Sequence, residues 1–466
     1  MLGTLERLLT PSQTAAREGL SPPSRLPHDV GRGPGTAEST VIREQGTWLF
    51  FATLVNSGLG FAFWALATRL FSPRDVGIAG SLISLASLGT SISILGMDNG
   101  LVRFVTKVDR PRRLVRQLAA IGGSLGFGVG FVLAAVLLSI SNVGGAGLLV
   151  PLVLLGGTLT MLDVWFQITD ASIMAAGRSD VLMVRNTVLG MIKVILVLGL
   201  NVLGVVGLLG SYIAPFALVA VIGFIGSAIL WPRHNPEGTA VHVRSFAGLS
   251  LGNYVSGLVW FLPNRLAPAL LLIFSSSANA AFLFLAMTLA EVLNYIPESV
   301  GKSIFAHGSR TDRVTYSLMR TIQRWLALIM VGFVILGIVF AGFAMSVLGG
   351  SAYEAHALAL QLFCIAVLPR TGLQLLKAQF NVERKVFRLV GLGVSTGLST
   401  LVILIIELAL KVPVDLIPIA WIIGGTIGLV TGWRLAGGRL PRSLLLRAAD
   451  PEAVSARDEV ERPPEG

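Results

Sequence analysis

Apolar residues fill most of the chain in runs of about 20 residues, each long enough to cross a bilayer as an α-helix. Short polar stretches separate the runs, and the longest clearly polar connection covers residues 232–248. This pattern predicts an all-α membrane protein with twelve transmembrane helices, six on each side of that connection. The predicted spans are 47–68, 75–97, 118–140, 147–168, 180–202, 206–231, 249–273, 278–300, 323–348, 356–378, 388–409 and 414–436.

The polar segments give the expected domain organisation. Residues 1–45 are rich in Pro, Gly, Ser, Thr and Arg, which predicts a disordered cytoplasmic tail. The first apolar run begins near Thr47, so we expect no cleavable signal peptide. The remaining predicted parts are an N-terminal six-helix bundle (46–231), a cytoplasmic linker (232–248), a C-terminal six-helix bundle (249–437) and a second cytoplasmic tail (438–466).

The lysines and arginines of the connections predict the orientation. Short loops on the cytoplasmic side of a membrane protein carry an excess of these residues. With the N-terminus inside, only Arg74 and Lys411 fall on the outer side. Both termini are therefore expected in the cytoplasm. The basic residues of the inner side include Arg103, Lys107, Arg110, Arg112, Arg113, Arg116, Lys302, Arg310, Arg313, Arg320, Arg324, Lys377, Arg384, Lys385 and Arg388.

Composition narrows the class of protein. The chain has 466 residues, 53% hydrophobic and only 13% charged, with a mean hydropathy of +0.77. Its net charge of +11 does not indicate a nucleic-acid partner, because the excess lies in short loops between apolar runs. Cys364 is the single cysteine, so the chain forms no internal disulfide and no thiolate metal site.

Several ionisable and polar residues lie inside the predicted spans. An arginine at mid-membrane costs about 2.5–3.5 kcal/mol on insertion scales, so it normally faces a protein interior or a wet cavity. The run from Gly257 to Phe274 contains Asn264 and Arg265 near its middle. These residues are the first candidates for a substrate site. The candidates are the cations Arg265, Arg370 and Lys193 with Asn264, the carboxylates Asp163 and Glu291 as ion-coupling groups, and the polar residues Asn56, Gln374 and Asn294.

Two interpretations of these charges stay open. The cations suit a hydrated anion such as a diphosphate, because an arginine fork fits phosphate oxygens. Alternatively, they form structural ion pairs with Asp163 and Glu291, which would then carry no proton or sodium ion. Arg185 lies nearer the cytoplasmic end of span 5, and we expect its side chain to reach the membrane interface there. Pro263 and Pro369 are expected to interrupt helices beside the candidate arginines.

The chain lacks the usual signs of an enzyme or a cofactor protein. Val300–Ser303 resembles the end of a phosphate-binding loop, but Ile296 stands where the first glycine belongs. The five histidines show no metal-ligand spacing, and no nucleophile with a base is recognisable. We therefore expect no catalysis, no metal and no other cofactor.

Two motifs carry a family resemblance. Leu66–Gly77 reads LATRLFSPRDVG and Leu95–Phe104 reads LGMDNGLVRF, around the two ends of span 2. The chain resembles the Wzx-type polysaccharide transporters of the multidrug/oligosaccharidyl-lipid/polysaccharide (MOP) exporter superfamily. Asn264-Arg265 is similar to an Asp-Arg pair of that family, with Asn in place of Asp. The resemblance implies two six-helix bundles around a central cavity, as in MATE proteins, with Arg265 in a span that lines it.

The resemblance and the charges together predict a function. The expected activity is alternating-access flipping of a lipid-linked oligosaccharide, of the polyprenyl diphosphate type, or a related glycolipid from the inner to the outer leaflet of the cell membrane. Expected partners are this substrate, membrane lipids, a coupling proton or sodium ion and glycan-assembly proteins. One alternative is a cation-coupled multidrug exporter of the same superfamily. Another is a membrane-embedded glycan polymerase or ligase, although the predicted outer loops are only a few residues long.

Overall fold

The computed structural model describes residues 55, 57–141, 143, 146–236, 238, 251–311, 316–383 and 385–437. Asn56, both predicted tails and most of the predicted linker lie outside the described residues. Within the described part, eleven helices are long and apolar enough to cross a membrane. The prediction of an all-α, multi-pass membrane fold is confirmed. The count of twelve depends on span 1, of which a helix over 57–70 is described.

The helices follow the predicted spans in order, and several extend beyond the predicted ends. Two short helices, Met97–Phe104 and Ser351–Glu354, lie between longer ones. The long helices, numbered here α1 to α12, are 57–70, Pro73–Ile94, Pro111–Ser141, Ala146–Ala175, Ser179–Gly199, Gly204–Leu230, Leu251–Phe274, Ser277–Thr311, Tyr316–Gly349, Ala357–Val382, Val386–Ala409 and Ile419–Leu435.

The chain forms two compact units, the first ending at Leu251 and the second beginning at Gly252. In the first unit, α3 and α4 pack very closely: a Cβ on Gly130 would lie 2.1 Å from Thr160 Oγ1. Trp231, which follows α6, donates its indole N–H to Ser172 Oγ at 2.8 Å. The backbone N–H of Asn235 donates to the carbonyl oxygen of Asp109 at 2.7 Å. The start of the connection after α6 is therefore bound to the first unit.

The second unit contains a core cluster that joins α7, α10 and α11. Its buried members are Trp260, Leu373, Phe380, Leu389 and Leu392. Side chains of this size bury large apolar areas, each stabilising the fold by about 1.5–3 kcal/mol. This cluster holds α11 against α7 and α10, the two helices that carry Asn264, Arg265, Arg370 and Gln374.

The expected interruptions at Pro263 and Pro369 are not observed, because α7 and α10 run through both prolines. A proline removes the hydrogen bond to the carbonyl four residues earlier, which for Pro263 is that of Val259. Gly397 of α11 packs against this carbonyl so closely that a Cβ would lie 2.0 Å from its oxygen. Tight packing by a neighbouring helix thus accommodates the proline within a continuous helix.

Each unit has a serine that caps the start of its second helix. Ser72 Oγ accepts from the Asp75 backbone N–H at 3.2 Å and donates to Asp75 Oδ2 at 2.7 Å, just before α2. Ser276 Oγ accepts from the Asn279 backbone N–H at 3.1 Å, just before α8. A serine at this position satisfies a backbone donor of the first helical turn.

Candidate functional site

A cavity within the second unit brings several candidate residues together. It encloses about 570 Å³, including space open to solvent, and five helices line it. Each helix contributes positions three or four residues apart, so one stripe of each faces the cavity. The lining residues are Trp260, Pro263 and Asn264 of α7, Met287, Ala290, Glu291 and Asn294 of α8, Phe363, Ala366, Val367, Arg370 and Leu373 of α10, Thr396 and Thr400 of α11, and Trp421 and Gly425 of α12.

An ion pair between α10 and α8 forms the charged side of the cavity. Arg370 Nη1 donates to Glu291 Oε2 at 3.3 Å, and Nη2 donates to Oε1 at 3.4 Å. The Arg370 side chain is 15% exposed and that of Glu291 is 33% exposed. Asn294 Nδ2 donates to Glu291 Oε2 at 3.1 Å. Two candidates predicted for different roles, substrate binding and ion coupling, are thus direct partners.

Two polar atoms beside this pair are buried and have no hydrogen-bond partner among the described residues. They are Nε of Arg370, a donor, and Oδ1 of Asn294, an acceptor. A buried polar atom without a partner costs about 1–3 kcal/mol, so most such atoms are satisfied. Their position beside an open cavity indicates a site that can still receive a hydrogen-bonding group.

Asn264 has a specific partner from α12. The indole N–H of Trp421 donates to Asn264 Oδ1 at 2.6 Å. The Trp421 ring also contacts Phe363 of α10, edge to face, with centroids 5.1 Å apart. This hydrogen bond fixes the amide at the cavity wall and ties α7 to α12.

Arg265 does not line this cavity, although its neighbour Asn264 does. Its side chain is half-buried, and its guanidinium carbon lies 5.7 Å from the centroid of the Phe261 ring. The guanidinium carbon of Arg370 lies 6.0 Å from the same centroid. The two predicted arginines therefore approach one phenyl ring. Gln374, predicted as a cavity residue, is buried one turn beyond Arg370 and is also outside the lining.

In the first unit, Arg185 is buried instead of reaching out to solvent as expected, because it has partners from α4. Arg185 forms an ion pair with Asp170, and its Nη1 donates to Thr169 Oγ1 at 3.1 Å. The remaining donors, Nε and Nη2, face Asn186 Oδ1 at 3.4 and 3.1 Å. The guanidinium carbon lies 4.0 Å from the centroid of the Phe166 ring. This side chain is fully used by contacts inside its own unit.

Lys193 lies on aromatic faces of α6. Its ammonium is 3.6 Å from the ring centroid of Tyr212 and 4.3 Å from that of Phe216. Asp163 of α4 acts on it electrostatically. Cation–π contacts of this kind hold an ammonium where water is scarce. The geometry agrees with the structural alternative for Lys193 and Asp163, and their predicted transport roles stay predictions.

Sequence reasoning missed two acidic residues of the described chain. Span 4 was predicted to end at 168, whereas α4 runs to Ala175 and includes Asp170. The spacing of Asp163, Gln167 and Asp170 on one helix face was the available signal. Glu407 is buried near the end of α11, and its Oε2 has no hydrogen-bond partner among the described residues.

Comparisons with known proteins identify the fold. No protein-family model and no curated sequence matches the chain. It is similar to a MATE multidrug-resistance transporter of the MOP superfamily in an inward-facing conformation, at 14% identity and a TM-score of 0.60, over 84% of this chain and 96% of that one. It is also similar to the lipid II flippase MurJ in an inward closed conformation, at 10% identity and a TM-score of 0.64, over 85% and 88%. The chain thus has the fold of MOP-superfamily transporters.

Proposed function

We propose that this protein flips a lipid-linked oligosaccharide of the polyprenyl diphosphate type, or a related glycolipid, from the inner to the outer leaflet. The observation that carries the proposal is the site around Arg370. Its guanidinium and the amides of Asn264 and Asn294 border a cavity inside a unit of membrane-spanning helices. A hydrated phosphate needs cationic donors to enter such an environment. The fold supports it, since both similar structures are transporters and one is a lipid flippase.

The proposal gives roles to the second unit first. Arg370 contacts the anionic headgroup, and Asn264 supplies a hydrogen-bonding amide at the cavity wall. Arg265 lies outside the lining but near the same Phe261 ring as Arg370, and it adds positive charge for the headgroup. Glu291 serves as the titratable or ion-binding group beside them. Both termini lie in the cytoplasm in this scheme, and glycan-assembly proteins act before and after the transport step. The assignment to the polysaccharide-transporter branch belongs to the same proposal.

The test is deletion of the protein followed by mass analysis of polyprenyl-linked sugars. Accumulation of an intact lipid-linked oligosaccharide, with loss of surface glycan, is the expected result. Arg265→Ala should insert normally and fail to restore the glycan, while Arg434→Ala, at the exposed end of α12, should restore it. Unchanged sugar–lipid pools in the deletion strain would overturn the proposal.

A second candidate is export of organic cations. It is favoured by the first unit, where the rings of Tyr212 and Phe216 together with Asp163 already hold the Lys193 ammonium, because groups that hold this ammonium also suit an organic cation that takes its place. The likeness to a MATE multidrug transporter agrees with it. The same deletion strain separates the two, since new sensitivity to cationic drugs with unchanged sugar–lipid pools would support the exporter.

A further inference from the structure

We infer that Glu291 occupies the place on Arg370 that a phosphate of the transported headgroup takes, so that phosphate binding displaces the carboxylate and a proton from solvent neutralises it. This inference rests on the proposed function and adds a mechanism of exchange at its central site. Arg370, predicted to bind substrate, and Glu291, predicted to couple an ion, then act together in one exchange.

The first argument is the shape of the contact. The two terminal nitrogens of Arg370 face the two carboxylate oxygens of Glu291, at 3.3 and 3.4 Å. A phosphate presents two oxygens to an arginine in the same forked arrangement. The observed contacts are longer than the 2.7–2.9 Å typical of charge-assisted hydrogen bonds. A carboxylate at this distance is a weaker partner than a closely seated phosphate would be.

The second argument is room for the exchange. The Glu291 side chain is 33% exposed beside the cavity, so it can turn away without crossing packed side chains. The buried Nε of Arg370 has no partner among the described residues, so a shift of the side chain lets it donate a further hydrogen bond to an incoming anion. Asn294 already donates to Glu291 at 3.1 Å, and it can hold the carboxyl group after the arginine has left it.

The third argument concerns the charges around Glu291. The neighbouring helices carry three cations, Arg370 and Lys377 on α10 and Arg265 on α7. Tyr295 and Glu298 lie on α8, the helix of Glu291 itself. The residues that α11 and α12 contribute to the cavity are uncharged. Lys377 lies over the Trp260 ring, with its ammonium 5.5 Å from the centroid. On α9 Arg324 is exposed, and in the turn Val414–Leu416 Asp415 is paired with His356.

Displacement itself favours a proton on the carboxyl group, because Glu291 loses its cation and an anion is placed beside it. A half-buried carboxylate that loses its cation is less stable charged, because desolvation is no longer offset by the ion pair. With a proton on Glu291, Arg370 balances one of the two phosphate charges of a diphosphate headgroup, and Arg265 is the cation available for the second. Protonation thus removes one negative charge from the loaded site, which lowers the cost of moving the headgroup through the membrane.

The test uses the full chain in lipid nanodiscs with geranyl diphosphate as the probe. Calorimetric titration in buffers of different ionisation enthalpy counts the protons taken up on binding. We expect Glu291→Gln to bind about tenfold more tightly than the native chain, with about one proton fewer taken up per probe bound. We expect Arg370→Gln to bind at least about tenfold more weakly. Glu298→Gln, about two turns further along the same helix, is the matched control and should behave as the native chain.

The outcomes separate this inference from the proposed function. Equal proton uptake and equal affinity in the native chain and Glu291→Gln would overturn the exchange, and so would a native chain that does not bind the probe. Neither result bears on the sugar–lipid pools of the deletion strain, which test the flippase directly. A positive titration with unchanged pools would leave an anion-exchanging site in a protein that moves some other anionic lipid.

Discussion

The two units each contain an arginine paired with a carboxylate between helices, buried for Arg185 and partly buried for Arg370, and the two arginines differ in how their donors are used. In the first unit, every nitrogen of Arg185 has a hydrogen-bond or ion-pair partner, Asp170 among them. In the second unit, Arg370 contacts Glu291 through two nitrogens, and its buried Nε has no partner in the part of the chain that the structure describes. The first arginine is satisfied within its unit, whereas the second borders a cavity with a donor to spare.

This difference separates structural from functional charges. An arginine whose donors are all used holds its neighbours together, and one with an unused donor keeps the capacity to bind a further group. We therefore expect substitutions around Arg185 to act on stability and substitutions around Arg370 to act on transport. The presence of an ion pair does not by itself distinguish the two cases.

The largest expected effect is the loss of Arg185. Arg185→Ala leaves the Asp170 carboxylate, 30% exposed, without its cation, so the expected loss lies at or below the lower end of the about 3–5 kcal/mol that breaking a fully buried pair costs. We expect a steep fall in the yield of monodisperse protein and in its unfolding temperature, followed by size-exclusion chromatography and tryptophan fluorescence during heating. The comparison variant is Arg370→Ala, in which Glu291 can turn toward the cavity.

Arg370→Ala should yield folded protein with nearly native thermal stability and lose glycan export. The opposite pattern, an unstable Arg370→Ala and a stable, transport-deficient Arg185→Ala, would reverse the assignment of the two sites. Arg185→Lys should recover only part of the stability, because a lysine cannot reproduce the forked set of donors.

The sequence predicts the fold more completely than the site. Long apolar runs are sufficient to predict membrane helices, since a helix satisfies its backbone hydrogen bonds within itself. The partner of a buried charge depends on how helices pack, and Trp421 pairs with Asn264 across 157 residues of sequence. The pairing of Arg370 with Glu291 was among the alternatives considered, because both were recognised as charges within spans.

Other parts of the site could not be predicted for identifiable reasons. Asp170 was missed because Thr169 and Asp170 are polar and made the apolar run end early, although α4 continues to Ala175. Arg185 was expected at the interface because a long side chain near a span end usually reaches water. Its burial depends on the carboxylate that α4 supplies, which was not recognised.

The next effect concerns Lys193 and tests whether this cation of the first unit stabilises the fold or takes part in transport. Tyr212→Leu removes an aromatic face 3.6 Å from the ammonium, and we expect a loss of about 2 kcal/mol in stability. Tyr212→Phe keeps the face and should cost less. Thermal unfolding of both variants measures the difference. If Tyr212→Leu were stable but lost transport, Lys193 and its aromatic partners would belong to a functional site.

A smaller effect is expected at the wall of the second-unit cavity. Trp421→Phe keeps an aromatic ring against Phe363 but leaves Asn264 Oδ1 without its indole donor, at a cost of about 1–2 kcal/mol. Asn264→Leu removes the acceptor. The double variant should lose about 1 kcal/mol less stability than the sum of the two single losses. A double-mutant cycle of unfolding free energies measures this difference. Strict additivity would show that the hydrogen bond contributes nothing.

The smallest expected effect compares the two serine caps. Ser72→Ala removes an acceptor from the first turn of α2 and a hydroxyl donor to Asp75, and a cap of this kind contributes about 1 kcal/mol. Ser276→Ala removes only the acceptor for the Asn279 backbone N–H and should cost about half as much. Paired unfolding measurements on the same membrane preparation resolve a difference of this size. Equal losses would mean that the side-chain contact between Ser72 and Asp75 adds no stability, and that the two turns are energetically equivalent.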